Sequence, residues 1–243
     1  MNEFLLVLGI AAVAAFLTYL GVPVAEKVDV PQRVVSGALQ FAAGIITAIV
    51  AFSLLPPVVR NGPPLWGVLG FFVGGALFVV IEYVAARQLA SRPATAGDSA
   101  SPGFYIGILV DLVVDGVVIG IGSTLTLGAR LLLALGLAVS TAPLAFVTTA
   151  TAKRQGVPQR QRRLLSVLFI VAIIGGALLG FLVLRNQPLE LRLILIALSS
   201  GFLITTVTQS MIPEANREGE PSLAGILFVG GMAIYALLLF AIP

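Results

Sequence analysis

The sequence predicts an all-α integral membrane protein of eight transmembrane helices, built almost entirely within the bilayer. Three observations carry that expectation. The 243 residues are 58% hydrophobic and only 10% charged, with a mean hydropathy of +1.08, whereas a soluble domain carries roughly 25% charged residues to face water. Eight apolar stretches reach the roughly 20 residues that a spanning helix needs. Turn-forming residues separate them.

The stretches cover 3–24, 33–57, 64–88, 103–125, 129–152, 164–185, 189–213 and 221–242. In the first, the apolar run from Phe4 to Leu20 lacks a basic leader and follows Glu3, so it reads as a span and not as a cleaved signal. Gly21 and Pro23 close it; Asn61-Gly62-Pro63-Pro64 separates the second from the third. The segment 89–102 is small and polar and reads as a linker. Asn186-Gln187-Pro188 and Gly219-Glu220-Pro221 mark the last two turns. The whole of 1–243 is expected to form one transmembrane domain.

Loop cations set the expected orientation, because short cytoplasmic loops accumulate Lys and Arg. Ten cations, from Lys27 and Arg33 through Arg87, Arg92, Lys153, Arg154, Arg160, Arg162 and Arg163 to Arg217, fall on one side. Arg60, Arg130, Arg185 and Arg192 fall on the other. Both termini are therefore expected outside a plasma or inner membrane, with the 89–102 linker and the basic fifth loop in the cytoplasm. That loop serves topology and anionic-lipid contact. A net charge of +3 gives no argument for nucleic-acid binding.

An internal repeat organises the chain. The second span contains Gly44 and ends Ser53-Leu54-Leu55-Pro56-Pro57; the seventh contains Gly201 and ends Ser210-Met211-Ile212-Pro213-Glu214, at a constant offset of 157. Phe72-Val73-Gly74-Gly75 in the third span matches Phe228-Val229-Gly230-Gly231 in the eighth at an offset of 156. Spans two and seven lie five apart and run in opposite directions. The pattern is thus an inverted repeat, 3–88 and 164–242, around a central pair at 103–152. Transporters commonly show such repeats, with the substrate site near the midplane. The glycines read as close-packing positions.

No cysteine and no histidine occurs, so disulfides, thiolate sites and imidazole ligands are excluded. Any ion chemistry falls to carboxylates, amides, hydroxyls and carbonyls. Of eleven acids, nine are placed near span ends or in loops; Asp111 and Asp115 lie inside the fourth span among Val, Leu and Ile. Their i, i+4 spacing stacks them on one face, about 6 Å apart along the axis. Each ionised carboxylate in a bilayer costs at least roughly 2.5–3.5 kcal/mol, and their repulsion would keep at least one proton on the pair. A cation, a proton or a water-filled cavity relieves that cost; two protonated acids bonded to neighbouring helices are the structural alternative. The fifth span offers Ser140-Thr141-Ala142-Pro143, and Pro143 frees the Val139 carbonyl. The seventh offers Thr205, Thr206, Thr208 and Gln209, the last placed to line an exit path. Such hydroxyls serve packing more often than ligation.

This layout resembles the ZIP family of divalent-metal transporters, which has eight helices, both termini outside, and inverted three-helix repeats around a metal site on helices four and five. The family's fourth-helix motif His-Asn-x-x-Glu-Gly corresponds to Asp111-Leu112-Val113-Val114-Asp115-Gly116, with a second acid at the histidine position. Its fifth-helix motif corresponds to Ser140-Thr141-Ala142-Pro143-Leu144-Ala145, which keeps the proline, and the sixth span carries no ionisable group from Leu164 to Leu184. The resemblance implies a ZIP-like alternating-access carrier of a divalent metal cation, with Asp111, Asp115, Ser140 and Thr141 as ligand positions; Gln209 joins the candidate metal ligands from its own place on the seventh span. The metal is then a substrate, and no prosthetic group is implied. An all-oxygen site favours hard cations such as Mn²⁺ or Mg²⁺.

Other readings stay open. The same fold could carry another small solute with the aspartates as a proton relay, or transport nothing and serve as a scaffold. An intramembrane hydrolase is disfavoured: zinc and serine–histidine versions need histidine, and an aspartyl version needs acids converging from different helices. No enzymatic activity is expected. The partners implied are the metal ion, the lipid bilayer and, through Gly-rich faces, a second copy in a homodimer.

Overall fold

A computed structural model describes residues 2–27, 31–90, 102–121, 127–154, 156–184, 187–216 and 223–241. Most of the expected 89–102 linker, together with Arg92, Arg185 and Arg217, lies outside the described residues. The helices are α1 (Asn2–Tyr19), α2 (Gly21–Lys27), α3 (Gln32–Ala48), α4 (Leu55–Asn61), α5 (Pro64–Ala90), α6 (Pro102–Ile121), α7 (Leu127–Arg154), α8 (Gln159–Leu184), α9 (Leu189–Thr206), α10 (Ile212–Ala215) and α11 (Ala224–Ala241). Among the described residues there is no strand. Seven helical stretches are long and apolar enough to cross a membrane: Glu3–Lys27, Arg33–Asn61, Pro64–Val84, Leu131–Ala150, Gln159–Val183, Leu189–Ala215 and Ala224–Ala241. The chain is a multi-pass membrane protein. The expected fourth span corresponds to α6, a helix of 20 residues.

Local chemistry sets the helix ends. Pro31 and Pro188 precede α3 and α9 as extended N-caps, since proline lacks an amide and holds φ near the helical value. Gly156 ends α7 with a φ of 73°. Its amide donates to Lys153 O at 3.1 Å and that of Val157 to Ala152 O at 3.0 Å, the paired bonds of a Schellman motif.

Two spans are not plain α-helices. A π-helical turn, Ile49–Leu54, joins α3 to α4, and a second, Val207–Met211, joins α9 to α10. Pro56 and Pro213 follow them, each removing an amide from the ladder. The last bonds of the wider turns run from Leu55 N to Val50 O and from Ile212 N to Val207 O. Both span five residues, and the two lie 157 residues apart.

The same offset governs packing. A Cβ on Gly44 of α3 would overlap the Phe228 carbonyl of α11, and one on Gly231 would overlap the Phe41 carbonyl. At the other pair of helices, Gly201 of α9 meets the Phe71 carbonyl of α5, and Gly74 meets that of Leu198. Gly44, Phe41, Phe71 and Gly74 map onto Gly201, Leu198, Phe228 and Gly231 when 157 is added to each. The structural register between α5 and α11 is therefore 157, one residue from the 156 suggested by the Phe-Val-Gly-Gly match. That match was misleading because it equates Gly75, which faces Thr205, with Gly231; Gly230, expected to pack, has nothing within 4 Å.

A third seam joins α6 to α8. Gly116 and Gly120 meet the carbonyls of Ile173 and Ala177, while Gly176 and Gly180 meet those of Val113 and Val117. This is a reciprocal pair of small-xxx-small stripes, which let backbones approach where lipid offers no hydrophobic drive for helix association. Alongside, α1 packs on α7 and α8, and α7 bridges to α3. Large apolar side chains such as Trp66, Phe72, Ile226 and Phe240 are exposed on α5 and α11, as lipid contact requires.

Candidate functional site

The glycine seam aims the aspartates. At about 100° per residue, residues 113, 116, 117 and 120 occupy the side of α6 against α8, and residues 111 and 115 the opposite side. Besides α8, α6 packs against α5, α9, α7 and α1. Asp111 and Asp115 are accordingly buried, at 1% and 2% exposure. None of their four carboxylate oxygens has a hydrogen-bond partner, and buried polar atoms in that condition are rare.

The hydroxyl of Thr206, at the end of α9, faces Asp111. Its proton is directed instead to Phe202 O, at 3.2 Å, leaving the hydroxyl oxygen beside the carboxylate without bonding it. Thr206 belonged to a run of hydroxyls in the sequence with nothing to single it out; the sign that could have done so is its place seven residues before Pro213, at the edge of a disturbed turn.

The other expected ligands are placed differently. Ser140 is fully buried on α7 and donates to Leu137 O at 2.8 Å. Thr141 is buried too, sharing a 2.7 Å hydroxyl contact with Thr18 of α1 and a 2.9 Å bond to Leu137 O. No hydrogen bond joins either to an aspartate. Gln209 is exposed, within the π turn after α9. Val139, whose carbonyl Pro143 frees, is 47% exposed and lines an outer groove with Pro143 itself. Among the described residues no group of three or more His, Cys, Asp or Glu could hold a metal ion.

A second polar cluster escaped the sequence, where Glu26 reads as a loop acid and Arg162 as a topology cation. Arg162 Nε and Nη2 donate to the two carboxylate oxygens of Glu26 at 2.7 and 2.8 Å, and Nη1 donates to Val157 O. Lys153 Nζ adds a bond to Glu26 O at 3.1 Å. The cluster ties the end of α2 to α7 and the start of α8. It is a fork-to-fork pair, partly shielded from solvent.

No protein-family model matches the chain. A comparison with curated proteins finds no match either. The reading of the site rests on its own chemistry.

Proposed function

We propose that the chain is a membrane carrier of a divalent metal cation, ZIP-like in layout, with eight spans in an inverted repeat around α6 and α7. The observation that carries the reading is the set of four partnerless carboxylate oxygens buried on α6. Two ionised carboxylates carry a charge of −2, which one divalent cation or two protons neutralise. No guanidinium or ammonium bonds them. Transport by alternating access would exchange those states, with the cation bound on one side and protons taken up on release.

Further features agree. At about 1.5 Å per residue, the 20 residues of α6 extend about 30 Å, the thickness of the hydrocarbon core, which supports an eighth crossing. The recurrence of the π turns and glycine contacts at 157 residues supports the repeat, and the offset of five spans between equivalent helices makes it inverted. The loop cations support both termini outside an inner or plasma membrane. Oxygen ligands, Asp111 and Asp115 with Thr206 alongside, favour Mn²⁺ or Mg²⁺ over softer ions.

The test is uptake of Mn²⁺, Mg²⁺, Zn²⁺, Fe²⁺ and Cd²⁺ into liposomes holding purified protein, beside Asp111→Asn/Asp115→Asn. Uptake lost in the double variant is expected. Uptake that survives it refutes the site.

A second reading is favoured by one observation, the absence of a third carboxylate or imidazole beside the pair among the described residues. In it the aspartates relay protons and the fold carries another small solute. Transport driven by a pH gradient with no metal added distinguishes it.

A further inference from the structure

On the outer surface, α1 and α2, α3 and α7 enclose a groove of about 540 Å³. Its walls are hydrocarbon, including Leu20, Val24, Val34, Ala38, Ala142 and Phe146. The floor is fixed: a Cβ on Gly21 would overlap the Ala142 carbonyl, so α2 and α7 touch there. From Val24 to Leu17 on one wall, and from Phe146 to Ala138 on another, the groove runs about 10–12 Å along the helices, within one leaflet of a hydrocarbon core about 30 Å thick.

One end is charged. Lys27 lies one turn beyond Val24, and Arg33 directly precedes Val34. Both are exposed, and neither meets a carboxylate among the described residues. The start of α3 lies there as well, with no side chain capping its amides, so its positive dipole end adds to the two cations. A hydrocarbon channel one leaflet deep, closed by two cations and a helix N-terminus, has the chemistry of a lipid with an anionic head.

We infer that this groove binds one anionic glycerophospholipid, an acyl chain lying between α2, α3 and α7 and the phosphate held at Lys27 and Arg33. A second copy of the chain is a poorer occupant, because two-fold docking would bring Lys27 and Arg33 of both copies together.

The experiment is native mass spectrometry of the full chain in detergent, with equal phosphatidylglycerol and phosphatidylcholine added. The wild type retains one phosphatidylglycerol per chain in preference to phosphatidylcholine. In K27Q/R33Q that preference falls about 30-fold, from the loss of two cations near a lipid phosphate. Ala38→Phe, which fills the groove, loses the retained lipid of either kind. The inference is overturned if the wild type shows no preference, if K27Q/R33Q keeps it, or if Ala38→Phe retains the lipid. A wild-type dimer that Ala38→Phe converts to monomer also overturns it, by assigning the groove to a second copy.

Discussion

Replacing Asp115 by Asn preserves the side chain's volume and removes its capacity for charge, which separates a binding role from a structural one. Two ionised carboxylates one helical turn apart, about 6 Å along α6, repel by about 3 kcal/mol at an effective dielectric of 20. That repulsion must be removed by a ligand or a proton, and in the Asn variant it never arises. Neither oxygen of Asp115 gives up a hydrogen bond on substitution, because it has none. The metal-free variant is therefore expected to unfold no earlier than the wild type. The metal response should differ. At a concentration 100 times its Kd, a bound ion stabilises by about 2.7 kcal/mol, an increment expected for the wild type with Mn²⁺ and absent from the variant. The assay is thermal unfolding in detergent with and without Mn²⁺, followed by intrinsic fluorescence or by loss of the monodisperse peak on size exclusion. A variant that loses stability without metal and keeps the wild type's Mn²⁺ increment would refute the reasoning, since Asp115 would then be a packing residue.

Gly176→Val presses a branched side chain onto the Val113 carbonyl and is expected to cost about 1–3 kcal/mol or more; Gly175→Ala, with open space around it, should be neutral or gain up to about 1 kcal/mol, both read by thermal unfolding. A double-mutant cycle with Glu26→Gln and Arg162→Gln should give a coupling of about 1 kcal/mol, typical of a partly exposed pair in good geometry. Tyr235→Phe removes the 2.7 Å contact between Tyr235 and Ser53 and should cost about 1 kcal/mol, measured the same way. Full retention of stability in Gly176→Val, or a coupling near zero in the cycle, would count against the packing and the pair respectively.

What the sequence disclosed follows from where the information sits. Apolar runs, prolines and the Gly-Pro turns act within one segment, so seven of the expected spans appear at the places read from them. The π turns were foreshadowed only by Pro56 and Pro213: loss of an amide says the ladder is disturbed, while the choice of a wider turn depends on what the following residues must touch. The α6–α8 seam was written in Gly116, Gly120, Gly176 and Gly180, yet partners on separate helices carry no mark of each other in a single sequence. The same holds for Glu26 with Arg162. Asp111 and Asp115 stood out because a carboxylate among Val and Leu is costly anywhere. The hydroxyls did not, since Ser140 and Thr141 bond their own helix as readily as a ligand.

The π turn of the seventh span holds one residue more than an α turn would, and that surplus has a geometric use. Ahead of it, α9 keeps Gly201 in phase with α5. Beyond it, α10 and Asn216 keep in phase with α3, where Gln40 Nε2 donates to Asn216 Oδ1 at 2.9 Å. A uniform helix would present these two faces about 100° out of step. The wider turn works as a vernier, absorbing one residue so that a single rod docks against two neighbours in phase. Deleting one residue between Val207 and Met211 would therefore let the turn close to an ordinary α turn with both contacts kept, Gly201 against α5 and Asn216 against Gln40.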